Sequence, residues 1–159
     1  MPTKAYVLCL SAIFMAIICV ATMIIQIPIP LGYAHLGDCV ILLSAMCLDT
    51  SHAVLVSAVG SMLADFFTGF AIWCIPTLVI KGIMALIAAY MFTHDKIITG
   101  GIAALVFMTF GYTAAGALLY DSLEAGLAST PGLLLKSALN LVIFIFLSKH
   151  IPAFLKLKR

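Results

Sequence analysis

Between Lys4 and Asp38 the chain carries no charged side chain, and between Lys96 and Asp121 it again carries none. A helix on the surface of a soluble domain keeps a polar face toward water. Runs this long with no charge on any face instead match the roughly 20 apolar residues that cross a bilayer. The whole chain follows suit: 65% of its 159 residues are hydrophobic and 9% are charged, against about 45–50% and 25% in soluble domains. A soluble fold must cover its outside with polar groups, and lipid removes that requirement. The length is that of one folding unit, residues 1–159, with no appended soluble domain. Too few polar residues remain to build a nucleotide-binding domain; a net charge of +2 is modest and says little about partners, and no nucleic-acid partner is expected.

The first run, Ala5 to Ile25, has 21 residues. It exceeds a signal-peptide core and lacks a small-residue cleavage site before the next span, so it reads as a membrane helix. Gln26, Pro28 and Pro30 end it, and residues 26–35 are expected to form a loop. A second span, Leu36 to Leu48, is short, covering about 20 Å of a hydrocarbon core of about 30 Å. It is either tilted and buried by its neighbours or continued through Asp49. Further spans follow at His52–Gly69, Ile75–Phe92, Ile98–Leu119 and Gly132–His150, with a polar break at Thr93–Lys96. The expected fold is all-α, an integral membrane bundle of six transmembrane helices. Cys9, Cys19, Cys39, Cys47 and Cys74 lie in or beside apolar runs without metal-site spacing, so they read as buried thiols with no metal.

Lys4, Lys96, Lys149, Lys156, Lys158 and Arg159 all fall at the termini or at the Thr93–Lys96 break. The three opposite connections, 26–35, 70–74 and 120–131, hold no Lys or Arg. By the positive-inside rule this is a multi-pass protein of the cell (inner or plasma) membrane with both termini cytoplasmic.

Charges inside spans are costly and face the bundle interior, a wet cavity or one another. Asp49 and Asp95 fall at the cytoplasmic turns, where solvation or helix capping accounts for them. Asp38, Asp65, Lys81 and Lys136 share the outer half, with Lys136 expected just inside the start of the last span and Asn140 one turn beyond on the same face. Tyr33, Trp73, Tyr112 and Tyr120 gather at that level with His35. Aromatic faces with a few polar groups suit a flat heteroaromatic ligand. Two simpler roles compete: Asp65 and Lys81 as a structural bridge, and Trp73 as an interfacial belt residue. Two acids and two lysines exceed what one bridge needs, which favours a binding pocket. Ala12 and Ala16, one helical turn apart, make a flat strip where another helix can approach, within the chain or from a partner.

The blocks YAHLGDCVILLSA (Tyr33–Ala45), GSMLADFFTG (Gly60–Gly69) and IPTLVIKGIMALIAAY (Ile75–Tyr90) resemble the substrate-binding S components of energy-coupling factor (ECF) vitamin transporters, and the likeness runs along nearly the whole chain. The resemblance implies a six-helix subunit with cytoplasmic termini that captures a vitamin from outside. It implies as partners a transmembrane coupling subunit and two cytoplasmic ATPases, which use the ATP; the chain itself needs no cofactor. It places Ala12 and Ala16 against the coupling subunit and makes residues 26–35 a lid. Within the family the chain looks most like members assigned to hydroxymethylpyrimidine or pyridoxine, with riboflavin or another vitamin as alternatives. The expected substrate-binding residues are His35, Asp38, Asp65, Trp73, Lys81, Lys136 and Asn140.

No serine–histidine pair or metal–phosphate carboxylate set lies within a span, so enzyme activity is not expected. A stand-alone proton-coupled small-molecule transporter is the competing function, since Asp65 could carry protons; a purely structural subunit is another.

Overall fold

The structure is a computed structural model that describes residues 3–24, 26–29 and 32–151, without the side chains of Ile29 and Tyr33. The basic residues Lys156, Lys158 and Arg159 lie outside the described residues, as does Ile25. Six helices carry the fold: α1 (Lys4–Ile24), α2 (Gly37–Cys47), α3 (Thr50–Phe67), α4 (Cys74–Thr93), α5 (Ile97–Leu119) and α6 (Leu123–His150). All but α2 are long and apolar enough to cross a membrane. Asp49 caps α3, its carboxylate accepting from His52 N–H, so the role expected of it at a turn holds.

Short connections make consecutive helices antiparallel. One end of the bundle therefore carries Lys4, the Leu48–Asp49 turn, Lys96 and Lys149; the other carries the 26–35, 68–73 and 120–122 connections. Helices α3 to α6 pack in sequence, α1 lies on α2 and α3, and α2 touches α1, α3, α4 and α6. The short second span is therefore held by neighbours and does not continue through Asp49: nine of its 11 residues are buried. By contrast α1 buries only Ser11, Ile18 and Thr22. Ala12 and Ala16 lie on its exposed side.

Two boundaries depart from the sequence reading. The 26–35 segment is not all loop: β1 (Ile27–Ile29) and β2 (Gly32–Ala34) pair antiparallel, with Pro28 opposite Tyr33. Proline is tolerated because a two-stranded hairpin has only edge strands. The hairpin packs on α6.

The last helix begins at Leu123 rather than Gly132, so most of the expected 120–131 loop is helical. Ser122 caps it by accepting from Ala125 N–H at 3.2 Å. Pro131 removes the helical donor to Leu127 O, and at the carbonyl one residue earlier Ser129 Oγ–H donates to Gly126 O at 2.8 Å. Thr113 and Thr130 share a hydroxyl bond of 2.9 Å between α5 and α6. Gly126 permits that approach, since a Cβ there would lie 2.6 Å from Thr113 O. Lys136 consequently sits midway along α6, deeper than expected.

Candidate functional site

At the first turn of α2, Asp38 is fully buried and its carboxylate takes both intramembrane lysines. Lys81 of α4 donates to Oδ1, and Lys136 of α6 stands 3.1 Å from Oδ2. The two lysines are 1% and 3% exposed, so the ions meet away from water. Lys136 reaches Oδ2 in distance but not in hydrogen-bond direction, leaving that oxygen without a directed donor among the described residues.

The bridge considered from sequence, Asp65 with Lys81, is not the one that forms. Asp65 of α3 accepts at Oδ2 from the Thr77 hydroxyl of α4, and Thr77 in turn accepts from Tyr112 Oη–H of α5 at 3.0 Å. The Tyr112 ring faces both ammoniums, with Lys81 Nζ 5.1 Å and Lys136 Nζ 5.4 Å from its centroid. Cation–π attraction of this kind, about 0.5–2 kcal/mol, offsets part of the desolvation of the lysines. Among the described residues, helices α2 to α6 thus each send at least one side chain into one polar network, and α1 sends none.

His35 and Asn140 join the hairpin to this network. Asn140 Oδ1 accepts from Cys39 N–H at 2.8 Å, while its Nδ2 donates to His35 O and Lys136 O, each at 2.9 Å. One amide therefore ties α6 to the hairpin exit and to the start of α2. Nearly all its bonding capacity is committed within the fold. The amide of Gly37 donates to His35 Nδ1 at 3.1 Å. Burial, followed by the Lys136 charge, holds the His35 imidazole well below its usual range, so the ring is neutral.

Trp73 closes the aromatic side. It ends the 3-10 turn Ala71–Trp73, lies 5.7 Å from the Tyr112 ring and 6.3 Å from that of Tyr120, and is buried. Its indole N–H meets no acceptor among the described residues.

Of the residues expected from sequence, His35, Asp38, Lys81, Lys136 and Asn140 come together directly. Asp65 connects through Thr77 and Tyr112, and Trp73 through Tyr112. The side chain of Tyr33 lies outside the described residues. Thr77 is the residue that sequence reasoning missed; its signal was its place one turn before Lys81 on the same helix face. Among the described residues no cluster of His, Cys, Asp or Glu is fit to hold a metal.

Three comparisons bear on this arrangement. A family model described as "ECF-type riboflavin transporter, S component" matches residues 3–153. An "Uncharacterized protein in gap 3'region" of Pyrococcus woesei is 34% identical over 107 residues, which is 64% of this chain and 72% of that relative. A solved structure described as "Structure and mechanism of the S component of a bacterial ECF transporter" aligns with a TM-score of 0.80 at 20% identity, covering 99% of this chain and 100% of the other. At that identity what is shared is the fold.

Proposed function

The chain belongs to the ECF-type riboflavin transporter S-component family, and we propose that it captures a flat nitrogen-heteroaromatic vitamin from outside the cell for ATP-driven uptake. The observation that carries this reading is the convergence of five helices on one largely buried network of Asp38, Asp65, Lys81, Tyr112 and Lys136, beside buried Trp73. A purely structural ion pair needs one acid and one base. Two lysines on one carboxylate, with aromatic rings alongside, are what an orienting ligand site requires.

The family description supports riboflavin as the first vitamin to test. Hydroxymethylpyrimidine and pyridoxine, favoured by the sequence resemblance, belong in the same assay. The hairpin serves as a lid, since it packs on α6 and is tied to the network at His35. The end bearing Lys4, Lys96 and Lys149 faces the cytoplasm, and Ala12 with Ala16 forms the strip that meets a transmembrane coupling subunit, itself driven by two ATPases.

Mass spectrometry of small molecules that copurify with the protein, followed by titration of the three vitamins, tests the reading. One of them should copurify, or raise the melting temperature in detergent. If none does either, substrate capture of this class is wrong. Uptake by vesicles containing this chain alone, driven by a proton gradient, would instead establish a stand-alone transporter.

A further inference from the structure

Trp73 carries a buried polar atom that the fold leaves unused. The backbone around it is pinned: Trp73 N–H donates to Phe70 O at 2.8 Å, and the 3-10 turn Ala71–Trp73 runs directly into α4. The residue is 6% exposed. Its ring lies 5.7 Å from that of Tyr112 and 6.3 Å from that of Tyr120, tilted by 45° and 42°. An indole nitrogen is a donor only, with one fixed proton, so no choice of tautomer can satisfy it in another way. Among the described residues it meets no acceptor.

Two ordinary roles for such a residue do not fit. A tryptophan of the interfacial belt turns its N–H toward water and headgroups, whereas this N–H is enclosed by protein. A core tryptophan finds an acceptor when its N–H is buried, and this one has none among the described residues. The tilted rings beside it are a weak substitute for an oxygen or nitrogen. Its place in the molecule adds to the argument. The Tyr112 ring that neighbours Trp73 also faces Lys81 Nζ at 5.1 Å and Lys136 Nζ at 5.4 Å. The unmet donor therefore borders the network that the substrate-capture reading assigns to the vitamin.

Resting on that reading, we infer that Trp73 is a specificity-determining donor: its indole N–H donates to an acceptor on the ring edge of the vitamin, an unprotonated ring nitrogen or a carbonyl oxygen. The bond formed is an ordinary N–H···N or N–H···O contact of about 2.9 Å. It satisfies on binding the one donor that Trp73 leaves unmet without ligand. The edge facing Trp73 must accept, because an amino group or a ring N–H there would set donor against donor. Trp73 thus tells apart rings of the same shape that differ in one edge atom, which aromatic packing against Tyr112 cannot do.

The test pairs a change in the protein with a change in the ligand, using the full chain in detergent. Riboflavin, pyridoxine and hydroxymethylpyrimidine are titrated first. Whichever binds is compared with analogues in which each ring-edge acceptor is replaced in turn, a ring nitrogen by C–H or a carbonyl oxygen by sulfur. Trp73→Phe keeps an aromatic ring and should weaken the parent vitamin about tenfold. It should have little further effect on the one analogue that lacks the paired acceptor, since both changes remove the same bond. Trp73 is the only tryptophan of the chain, so wild type labelled with nitrogen-15 tryptophan gives a single indole signal and needs no variant to fold. The parent vitamin should move that proton downfield, and the same analogue should move it much less. If Trp73→Phe weakens the parent and every analogue by one factor, or if the indole proton stays in place at saturation, Trp73 only packs. The inference is then overturned while substrate capture stands. Failure of all three vitamins to bind wild type removes the substrate-capture reading, and this inference with it.

Discussion

Replacing Asp38 by asparagine removes the one carboxylate that both buried lysines share, while keeping its size. In wild type, Asp38 is fully buried, and Lys81 and Lys136 are 1% and 3% exposed. Stranding a buried charge by deleting its partner costs about 3–5 kcal/mol, a large part of a typical stability of about 5–15 kcal/mol. For a chain of this length, about 2–4 °C of melting temperature per kcal/mol converts that to a fall of about 6–20 °C. Asp65→Asn should cost far less, because an amide oxygen still accepts from Thr77 and neither lysine loses its ion-pair partner. Adding Lys81→Met and Lys136→Met to Asp38→Asn removes the stranded charges and should recover a substantial part of the loss. Thermal denaturation of the four proteins in one detergent, followed by near-ultraviolet circular dichroism, reads all of this. If Asp65→Asn melts as low as Asp38→Asn, or if Asp38→Asn melts with wild type, the assignment of Asp38 as the shared counter-ion is wrong.

Four further outcomes are expected. Gly37→Ala should destabilise by about 1–3 kcal/mol, since its Cβ would fall 2.1 Å from Thr22 Oγ1; pairing it with Thr22→Ala should restore most of the melting temperature. His35 is held neutral in the fold, so the unfolded chain takes up a proton first: its contribution to stability is present above about pH 6.5 and is lost as pH falls below that value. Melting curves at about pH 7.5 and 5.5 should show the drop, and His35→Gln should lessen it. An impermeant thiol reagent, applied to intact cells expressing a cysteine-free variant, should label a cysteine placed at position 121 and not one at position 96; the reverse pattern refutes the orientation. Ala16→Trp should leave vitamin binding intact and block copurification of the coupling subunit, because a bulky ring holds apart helices that small residues let close.

The spans were legible because lipid favours long, mostly apolar runs with every backbone bond made internally. The start of α6 was not, because Pro131 and Gly132 look like a break. What overrides them is the Ser122 cap together with contacts to α5 at Gly126 and Thr130, and these are tertiary. The hairpin escaped notice for a related reason: its three-residue strands and its prolines leave no periodic pattern. In the site, each charge betrayed itself by standing inside a span. Which acid serves which base did not, since that depends on α2 threading between α4 and α6 and bringing Asp38, not Asp65, to both lysines. Thr77 carries no charge and gave no such warning.

That α1, among the described residues, contributes nothing to the polar network has an evolutionary consequence. On the proposed reading, ligand chemistry in this chain lies on α2 to α6, whereas α1 buries three residues and turns Ala12 and Ala16 outward. Substitutions that retune the network, such as an exchange at Lys136 or Thr77, leave the outer face of α1 chemically untouched. On that reading, descendants of one such chain can diverge in what they hold while keeping one exterior helix, so a single docking geometry can outlast many changes of cargo.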